Sequence, residues 1–175
     1  TQLAEAFLNG DYSIGYQGLV EKKIGITVDK GETRSNWIKR PLTDSQLKYA
    51  ASDVDFLIEL FIEQSQALKA SNKLKWHNEE LNFLFSRIFS PIEHDEDINT
   101  GLTKTEEKNL LNKFNDIVLR VAELEKINPT MFFSKKSQKD FLRLAINEGF
   151  ERALSEITNW RGQLLAEPLG SLFQD

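Results

Sequence analysis

Residues 43–57, TDSQLKYAASDVDFL, contain the helix-capping residue and the apolar spacing that decide the fold. A threonine such as Thr43 caps a helix by accepting a hydrogen bond from an amide of the first turn. Asp44 would lie in that first turn, where the helix dipole favours a negative charge. The pattern predicts a helix that begins after Thr43, continues or bends once near Asp53, and runs to about Lys69.

Projection at about 100° per residue divides this helix into three sectors. The polar sector contains Asp44, Lys48, Ser52, Asp55 and Glu59. The opposite, apolar sector contains Leu47, Ala50, Ala51, Val54, Leu57, Ile58 and Phe61. Between them lies a partly buried stripe of Tyr49, Asp53, Phe56 and Leu60. Asp55 is therefore a surface carboxylate, whereas Asp53 shares its stripe with two aromatic rings.

Asp53 has two interpretations at this stage. A partly buried carboxylate costs free energy unless a cation, a metal ion or hydrogen-bond donors meet it. In the structural interpretation, Asp53 accepts a hydrogen bond from a nearby backbone amide or pairs with Arg34 or Arg40. In the functional interpretation, the Asp53 carboxylate binds a metal ion or another cation.

The flanking segments also indicate helices. A first helix with Leu3, Ala6 and Phe7 on one face ends at Asn9-Gly10. Ser13 is predicted to cap a second helix, and residues 25–42 form an ordered loop pinned by Trp37. A break at residues 70–73 precedes a helix from Leu74 to about Phe89. The residues of that helix expected to face inward are Trp76, Leu81, Leu84 and Phe85.

A polar, acidic stretch with proline and glycine, residues 90–104, indicates a linker with a boundary near Gly101. Thr103 and Glu106 then have capping-box spacing. The apolar stripe that follows is Leu110, Leu111, Phe114, Ile117, Val118 and Val121. Asn128-Pro129 is predicted to close this helix, Ser134 to open the next, and a last helical stretch to begin at about Glu151. No convincing strand is present. The division expected is 1–70, 71–102 and 103–175.

Composition limits the possible functions. A formal net charge of −5 argues against nucleic-acid binding by bulk positive charge, so a polyanion would have to meet local basic residues or metal ions. The absence of cysteine excludes disulfides and thiolate metal sites and fits the cytoplasm. No apolar run approaches the roughly 20 residues of a membrane span, and no signal peptide opens the chain. His77 and His94 lack metal-ligand spacing, and no cofactor-binding fingerprint is present.

Several segments together carry a family resemblance: TQLAEAFL, SIGYQGLVEKKIGITVDK and TRSNWIKRPLTDSQLKYAASDVDFL. They resemble ribonuclease D, a member of the DEDD superfamily of 3′→5′ exonucleases, over roughly the first 70 residues. Tyr49 and Asp53 have the form of that family's third exonuclease motif, a tyrosine four residues before an aspartate. The resemblance places the chain in the tyrosine-containing subclass.

The resemblance implies a mainly α chain that is the helical C-terminal part of an α/β ribonuclease H-like exonuclease domain. It implies a two-metal site for Mg²⁺ or Mn²⁺, with Asp53 as a ligand and Tyr49 orienting or helping to deprotonate the attacking water. Lys30, Arg34 and Arg40 would meet substrate phosphates. The family's other three carboxylates come from motifs upstream, so this chain alone is expected to be inactive and its metal site incomplete. The substrate implied is RNA 3′ ends, such as those of tRNA precursors.

The C-terminal half is similar to the HRDC modules behind the nuclease domain of this family, through residues 110–144 and 159–173. Too little chain lies between Trp76 and Gly101 for a second complete module. Either the protein has only one such module, or a stretch of it is absent from this sequence. Basic residues in this half could form a nucleic-acid-binding patch, or could be balanced by neighbouring acids: Lys135, Lys136, Lys139, Arg143, Arg152 and Arg161. Trp160 is predicted to be a core residue.

Three hypotheses for function remain. The first is part of a metal-dependent 3′→5′ exoribonuclease, expected to be a cytoplasmic monomer. The second is a DNA 3′→5′ exonuclease of the same superfamily, and the third is a non-catalytic helical nucleic-acid-binding module or scaffold. Part of a nuclease is expected to expose an apolar face where its sheet is missing, whereas a complete scaffold is not.

Overall fold

The computed structural model describes residues 1–10, 14–88 and 100–173. These ranges form ten helices and contain no strand, which confirms the mainly helical prediction. The helices are α1 (Gln2–Leu8), α2 (Tyr16–Ile24), α3 (Asp44–Ser52), α4 (Leu57–Ala70), α5 (Leu74–Ile88), α6 (Lys104–Leu124), α7 (Pro129–Phe132), α8 (Lys135–Glu148), α9 (Phe150–Ser155) and α10 (Asn159–Gly170).

The predicted caps at Thr43, Thr103 and Ser134 are confirmed. The Thr43 side chain accepts from the Gln46 amide at 3.2 Å, and the Gln46 side chain accepts from the Thr43 amide at 3.0 Å. Thr103 and Glu106 form the same reciprocal capping box at the start of α6. Ser134 caps α8 by accepting from the Ser137 amide. Ser13 lies outside the described residues, and α2 begins after Gly15.

The helix predicted from Thr43 to Lys69 is interrupted by four turn residues, which separate α3 from α4. Asp53 still donates its amide to the Tyr49 carbonyl at 3.0 Å, so the helical spacing of these two residues is kept. The predicted stripe is confirmed: Tyr49, Asp53 and Phe56 are half-buried and Leu60 is buried.

Two predicted helix boundaries in the second half were wrong. Asn128 does not close α6, which ends at Leu124; its side chain accepts from the Met131 amide and begins α7. The last helical stretch is two helices, α9 and α10, and Thr158 is the N-cap of the second. Asn128 caps α7 through its side chain, whereas Thr158 begins α10 without a side-chain capping hydrogen bond. Leu154, Ile157 and Trp160 are spaced three apart, so apolar spacing alone indicated one continuous segment there.

The larger hydrophobic cluster is built around Trp160. This residue is 1% exposed, which confirms the prediction that it lies in the core. Its ring stacks on Trp76 at 5.5 Å between centroids and meets Phe7 edge-on at 5.1 Å. The cluster joins residues of α1 and the end of α4 to α6–α10. It therefore crosses residues 70 and 102, and the domain division at those positions stays a prediction.

A smaller cluster holds α2 and the following loop against the start of α4. Leu19, Val20, Val28 and Leu60 are buried in it, and Tyr16 and Phe56 pack on its edge. Because Phe56 and Leu60 flank the turn after Asp53, this cluster fixes the position of the turn relative to α2.

Several apolar side chains of α3, α4 and α5 are exposed in the described part of the chain. The apolar sector of α3 and α4 is exposed at Leu47, Val54, Leu57, Ile58 and Phe61. On α5 the inward assignment of Leu81, Leu84 and Phe85 was wrong, since all three are exposed. The N-terminal half of α5 makes the contacts, through Trp76 and Glu80 to Trp160. Apolar residues of the C-terminal half, Leu84, Phe85 and Ile88, are exposed among the described residues.

Across the three described ranges, none of the helices combines the length and apolar character required to cross a bilayer.

Candidate functional site

Tyr49 and Asp53 are presented together by the last turn of α3. Asp53 is the C-cap residue of that helix, and its amide donates to the Tyr49 carbonyl. Residues one helical turn apart lie on the same side of a helix, so both side chains reach one small volume. The structure therefore brings together the two residues that were predicted to be functional.

Both residues line an open groove of about 640 Å³ between α2, the loop after it and α3. Lys30 lines the same groove. The complete lining is Thr1, Gly15, Tyr16, Gln17, Gly18, Lys30, Thr33, Tyr49, Asp53 and Leu57. The groove is thus polar on the side of the loop and of α3.

Tyr16 holds the turn that carries Asp53. Its hydroxyl donates to the Ser52 carbonyl at 3.1 Å and accepts from the Phe56 amide at 3.3 Å. These two contacts close the gap between α3 and α4 on both sides of Asp53. This role is not predictable from the sequence, because the partners lie 36 and 40 residues away and no local pattern signals them.

The hydroxyl of Tyr49 lies between two side chains that no local sequence pattern predicts. Gln17 Nε2 is 3.3 Å from the Tyr49 oxygen, and Thr33 Oγ1 is 3.0 Å from it. The ring of Trp37 packs on the Tyr49 ring at 5.8 Å, and its Nε1 donates to the Glu32 carbonyl at 3.0 Å. The predicted role of Trp37 in ordering this loop is thereby confirmed.

The Asp53 carboxylate is half-buried and makes no hydrogen bond or ion pair within the described part of the chain. The structural interpretation, in which it pairs with Arg34 or Arg40, is therefore not observed. Arg40 instead donates to the carbonyls of Trp37 and Lys39, at 2.7 and 3.0 Å. A partly buried carboxylate without a donor has oxygen atoms available to a cation.

The three basic residues predicted to meet phosphates are placed differently. Lys30 borders the groove, and its side chain has no hydrogen-bond partner among the residues described. Arg34 and Arg40 are exposed on the same loop and do not line the groove. The geometry brings only Lys30 beside Tyr49 and Asp53.

The described residues include no group of three or more histidine, cysteine, aspartate or glutamate side chains that could hold a metal ion. Asp53 is a hard oxygen donor of the kind that Mg²⁺ and Mn²⁺ prefer. A single carboxylate fits one position of a metal site and does not form a complete one. The described residues therefore do not by themselves hold the metal pair that the resemblance implies.

All three arginines considered for a C-terminal basic patch are paired with acids. Arg161 is buried and bound to Glu80, and Arg143 lies 3.6 Å from Glu107. Arg152 lies 3.5 Å from Glu148 and 2.6 Å from Glu156. These pairs favour the alternative of balanced charge over a patch that includes the arginines.

The first part of the chain is similar to a known protein family. Residues 1–68 match the family described as 3′-5′ exonuclease, and this match contains Lys30, Tyr49 and Asp53. The N-terminal part of the chain is therefore similar to the 3′-5′ exonucleases.

Within that class the chain is similar to ribonuclease D, which confirms the resemblance. It is 41% identical to ribonuclease D of Xanthomonas oryzae pv. oryzae over 96 residues, 55% of this chain and 25% of that protein. It is 39% identical to ribonuclease D of Escherichia coli over 74 residues, 42% of this chain and 20% of that protein. The chain thus spans about a quarter or less of the curated relatives it matches.

The crystal structure of Escherichia coli RNase D, described as an exoribonuclease involved in structured RNA processing, has a similar fold. The TM-score is 0.52 at 22% identity, with 95% of this chain and 48% of that chain covered. The likeness in fold thus reaches beyond the N-terminal part that matches in sequence.

Proposed function

We propose that this chain contributes the third exonuclease motif of a ribonuclease D-type, divalent-metal-dependent 3′→5′ exoribonuclease. The observation that carries the proposal is the placement of Tyr49 and Asp53 one turn apart in a groove, where the Asp53 carboxylate has no partner among the described residues. The match of residues 1–68 to 3′-5′ exonucleases supports it. The expected substrates are RNA 3′ ends such as those of tRNA precursors, processed in the cytoplasm by a monomer.

Hydrolysis of a phosphodiester needs an oriented water and stabilisation of negative charge on the phosphate. A pair of divalent cations supplies both when bound. Asp53 would provide one oxygen ligand, and the phenol of Tyr49 would orient or help to deprotonate the water. Lys30, which lines the same groove, would bind the substrate phosphate, with Arg34 and Arg40 extending the basic loop.

The remaining carboxylates of the site would come from motifs that this chain does not contain, so the chain alone is expected to be inactive. The exposed apolar sector of α3 and α4 supports this proposal, because an exonuclease domain would cover it with its sheet. Residues 103–175 would form an HRDC-like module behind the nuclease domain. Its contact with nucleic acid would depend on lysines such as Lys135 and Lys139, since the arginines are paired.

The test uses the complete protein encoded by the gene from which this chain comes. The protein with Asp53→Asn or Tyr49→Phe is expected to lose at least about a hundredfold in rate on a 3′-tailed RNA with Mg²⁺. Asp55→Asn is the matched control, because that carboxylate is exposed, lies two residues away and does not line the groove. Undiminished activity of Asp53→Asn would refute the assignment.

The same assay separates the two other hypotheses. Preference for a DNA strand over the matching RNA strand would favour the DNA exonuclease. Binding of RNA without release of nucleotides, under conditions with Mg²⁺ or Mn²⁺, would favour the non-catalytic module.

A further inference from the structure

The hydroxyl of Tyr49 is held by two side chains that can be assigned opposite roles. Thr33 Oγ1 lies 3.0 Å from the Tyr49 oxygen and Gln17 Nε2 lies 3.3 Å from it. A phenol can donate one hydrogen bond and also accept. The direction of each contact therefore determines where the Tyr49 proton points.

The contact with Thr33 has its direction fixed by the Lys30 carbonyl. Thr33 Oγ1 lies 2.9 Å from that carbonyl oxygen, and a carbonyl can only accept, so Thr33 donates its single proton there. In its contact with Tyr49, Thr33 must then accept. The Tyr49 hydroxyl proton points at Thr33.

The contact with Gln17 has the opposite direction. Gln17 Nε2 also lies 3.3 Å from the carbonyl of Asp29, which orients the amide with its nitrogen toward that acceptor. The same nitrogen donates to the Tyr49 oxygen. Tyr49 is thus a donor to the loop and an acceptor from α2.

We propose that Thr33 and Gln17 are positioning residues that hold Tyr49 as a hydrogen-bond acceptor toward the groove. With its proton bound by Thr33, the phenol can meet a water in the groove only by accepting a proton of that water. Such a water presents its oxygen lone pair away from Tyr49, toward the substrate phosphate. This inference rests on the proposed function, since it concerns the water that Tyr49 would orient.

Loss of the Thr33 hydroxyl would free the Tyr49 proton to turn into the groove. The phenol could then donate its proton to the water. That hydrogen bond would occupy the oxygen lone pair with which the water attacks the phosphate. Thr33 is exposed and belongs to neither hydrophobic cluster, so a structural contribution to the core does not explain its placement. The consequence of Thr33→Val is therefore expected in the orientation of Tyr49 and in the reaction rate, not in folding.

The first experiment needs no activity and uses the 175-residue chain. The protein is labelled with ¹³Cζ-tyrosine, and the signals of Tyr12, Tyr16 and Tyr49 are assigned with Tyr→Phe variants. Thr33→Val and Gln17→Leu are expected to shift the Tyr49 signal and to leave the Tyr16 signal in place. Thr33→Ser restores the hydroxyl and with it the original signal. Thr27→Val is the control, because Thr27 lies in the same loop, is exposed and has no side-chain hydrogen bond in the described residues.

The second experiment measures kinetics on a 3′-tailed RNA with the complete protein. Thr33→Val is expected to lower kcat about tenfold with KM nearly unchanged, because it misorients the water without removing a contact to RNA. Thr33→Ser restores kcat, and Thr27→Val leaves it unchanged.

The outcomes separate this inference from the proposed function. A Tyr49 signal unmoved by Thr33→Val would overturn the hydrogen-bond assignment whether or not the protein is a nuclease. An active wild type with an unchanged kcat in Thr33→Val would overturn the positioning role and leave the proposed function intact. A complete wild-type protein that releases no nucleotides would overturn the proposed function, and the positioning role with it.

Discussion

Glu80 on α5 and Arg161 on α10 form an ion pair whose side chains are 5% and 10% exposed. Arg161 Nη2 donates to Glu80 Oε1 at 2.9 Å, and the same guanidinium donates to the carbonyls of Met131 and Phe132. Glu80 also accepts from Trp160 Nε1 at 3.2 Å. The pair therefore joins α5 to the centre of the larger cluster.

Glu80→Gln is expected to lower the free energy of unfolding by about 3 kcal/mol, because it leaves the Arg161 charge buried without its carboxylate. Urea denaturation followed by circular dichroism measures this loss. Glu107→Gln is the matched control, since it removes the carboxylate of the more exposed pair with Arg143 and is expected to cost at most about 1 kcal/mol. Equal losses in the two variants would show that burial does not set the strength of the Glu80 pair.

His77 is expected to make stability depend on pH. Burial against Phe7, whose ring centroid is 6.2 Å away, lowers the pKa of the imidazole below its ordinary value of about 6.5. Below about pH 6.5 the unfolded chain binds a proton that the folded chain does not. The free energy of unfolding therefore decreases as the pH falls from about 6.5 toward the folded pKa.

Urea midpoints at pH 7.5, 6.5 and 5.5 measure this effect above the range in which carboxylates titrate. His77→Phe keeps an aromatic ring against Phe7 and is expected to remove the decrease. His94→Gln tests the second histidine of the sequence and is expected to retain it. A decrease that persists in His77→Phe would assign the pH dependence to another group.

Asp53→Asn is expected to leave the free energy of unfolding within about 0.5 kcal/mol of the wild type. The reason is that the carboxylate has no hydrogen bond or ion pair to lose among the described residues. Tyr16→Phe, in contrast, removes both hydrogen bonds that close the turn around Asp53 and is expected to cost about 1 kcal/mol or more. Thermal unfolding of both variants checks the contrast. A larger loss in Asp53→Asn than in Tyr16→Phe would restore the structural interpretation of Asp53.

Local features of this fold could be predicted from the sequence, because their partners lie within one or two turns. The capping boxes at Thr43 and Thr103 each join residues three apart. The spacing of Tyr49 and Asp53 also survives the break after α3, since the turn keeps the hydrogen bond between them. The family resemblance then added a chemical role that periodicity alone left open.

Contacts between distant segments could not be predicted in the same way. Tyr16 on α2 contacts Ser52 and Phe56, and Gln17 contacts Tyr49, although no local pattern marks any of these pairs. The spacing of apolar residues on α5 indicated a helix face but not which part of it another helix would cover. For that reason Leu84 was assigned to the core and is in fact exposed.

Leu60 and Phe61 are consecutive residues of α4 with opposite environments, 1% and 66% exposed. Leu60→Ala is expected to lower the free energy of unfolding by about 2–4 kcal/mol, because it opens a cavity in the smaller cluster. Phe61→Ser is expected to change it by less than about 0.5 kcal/mol. Urea denaturation of the two variants under identical conditions provides the comparison.

The exposed face around Phe61, with Ile58 and Ile62 on the same helix, is also expected to promote self-association of the isolated 175-residue chain. Phe61→Ser should therefore reduce the weight-average mass measured by sedimentation at increasing protein concentration. Glu59→Ser is the control, because it alters an exposed polar position of the same helix and removes no apolar surface. If Phe61→Ser destabilises the chain as much as Leu60→Ala does, this face is covered within the chain and its exposure is refuted.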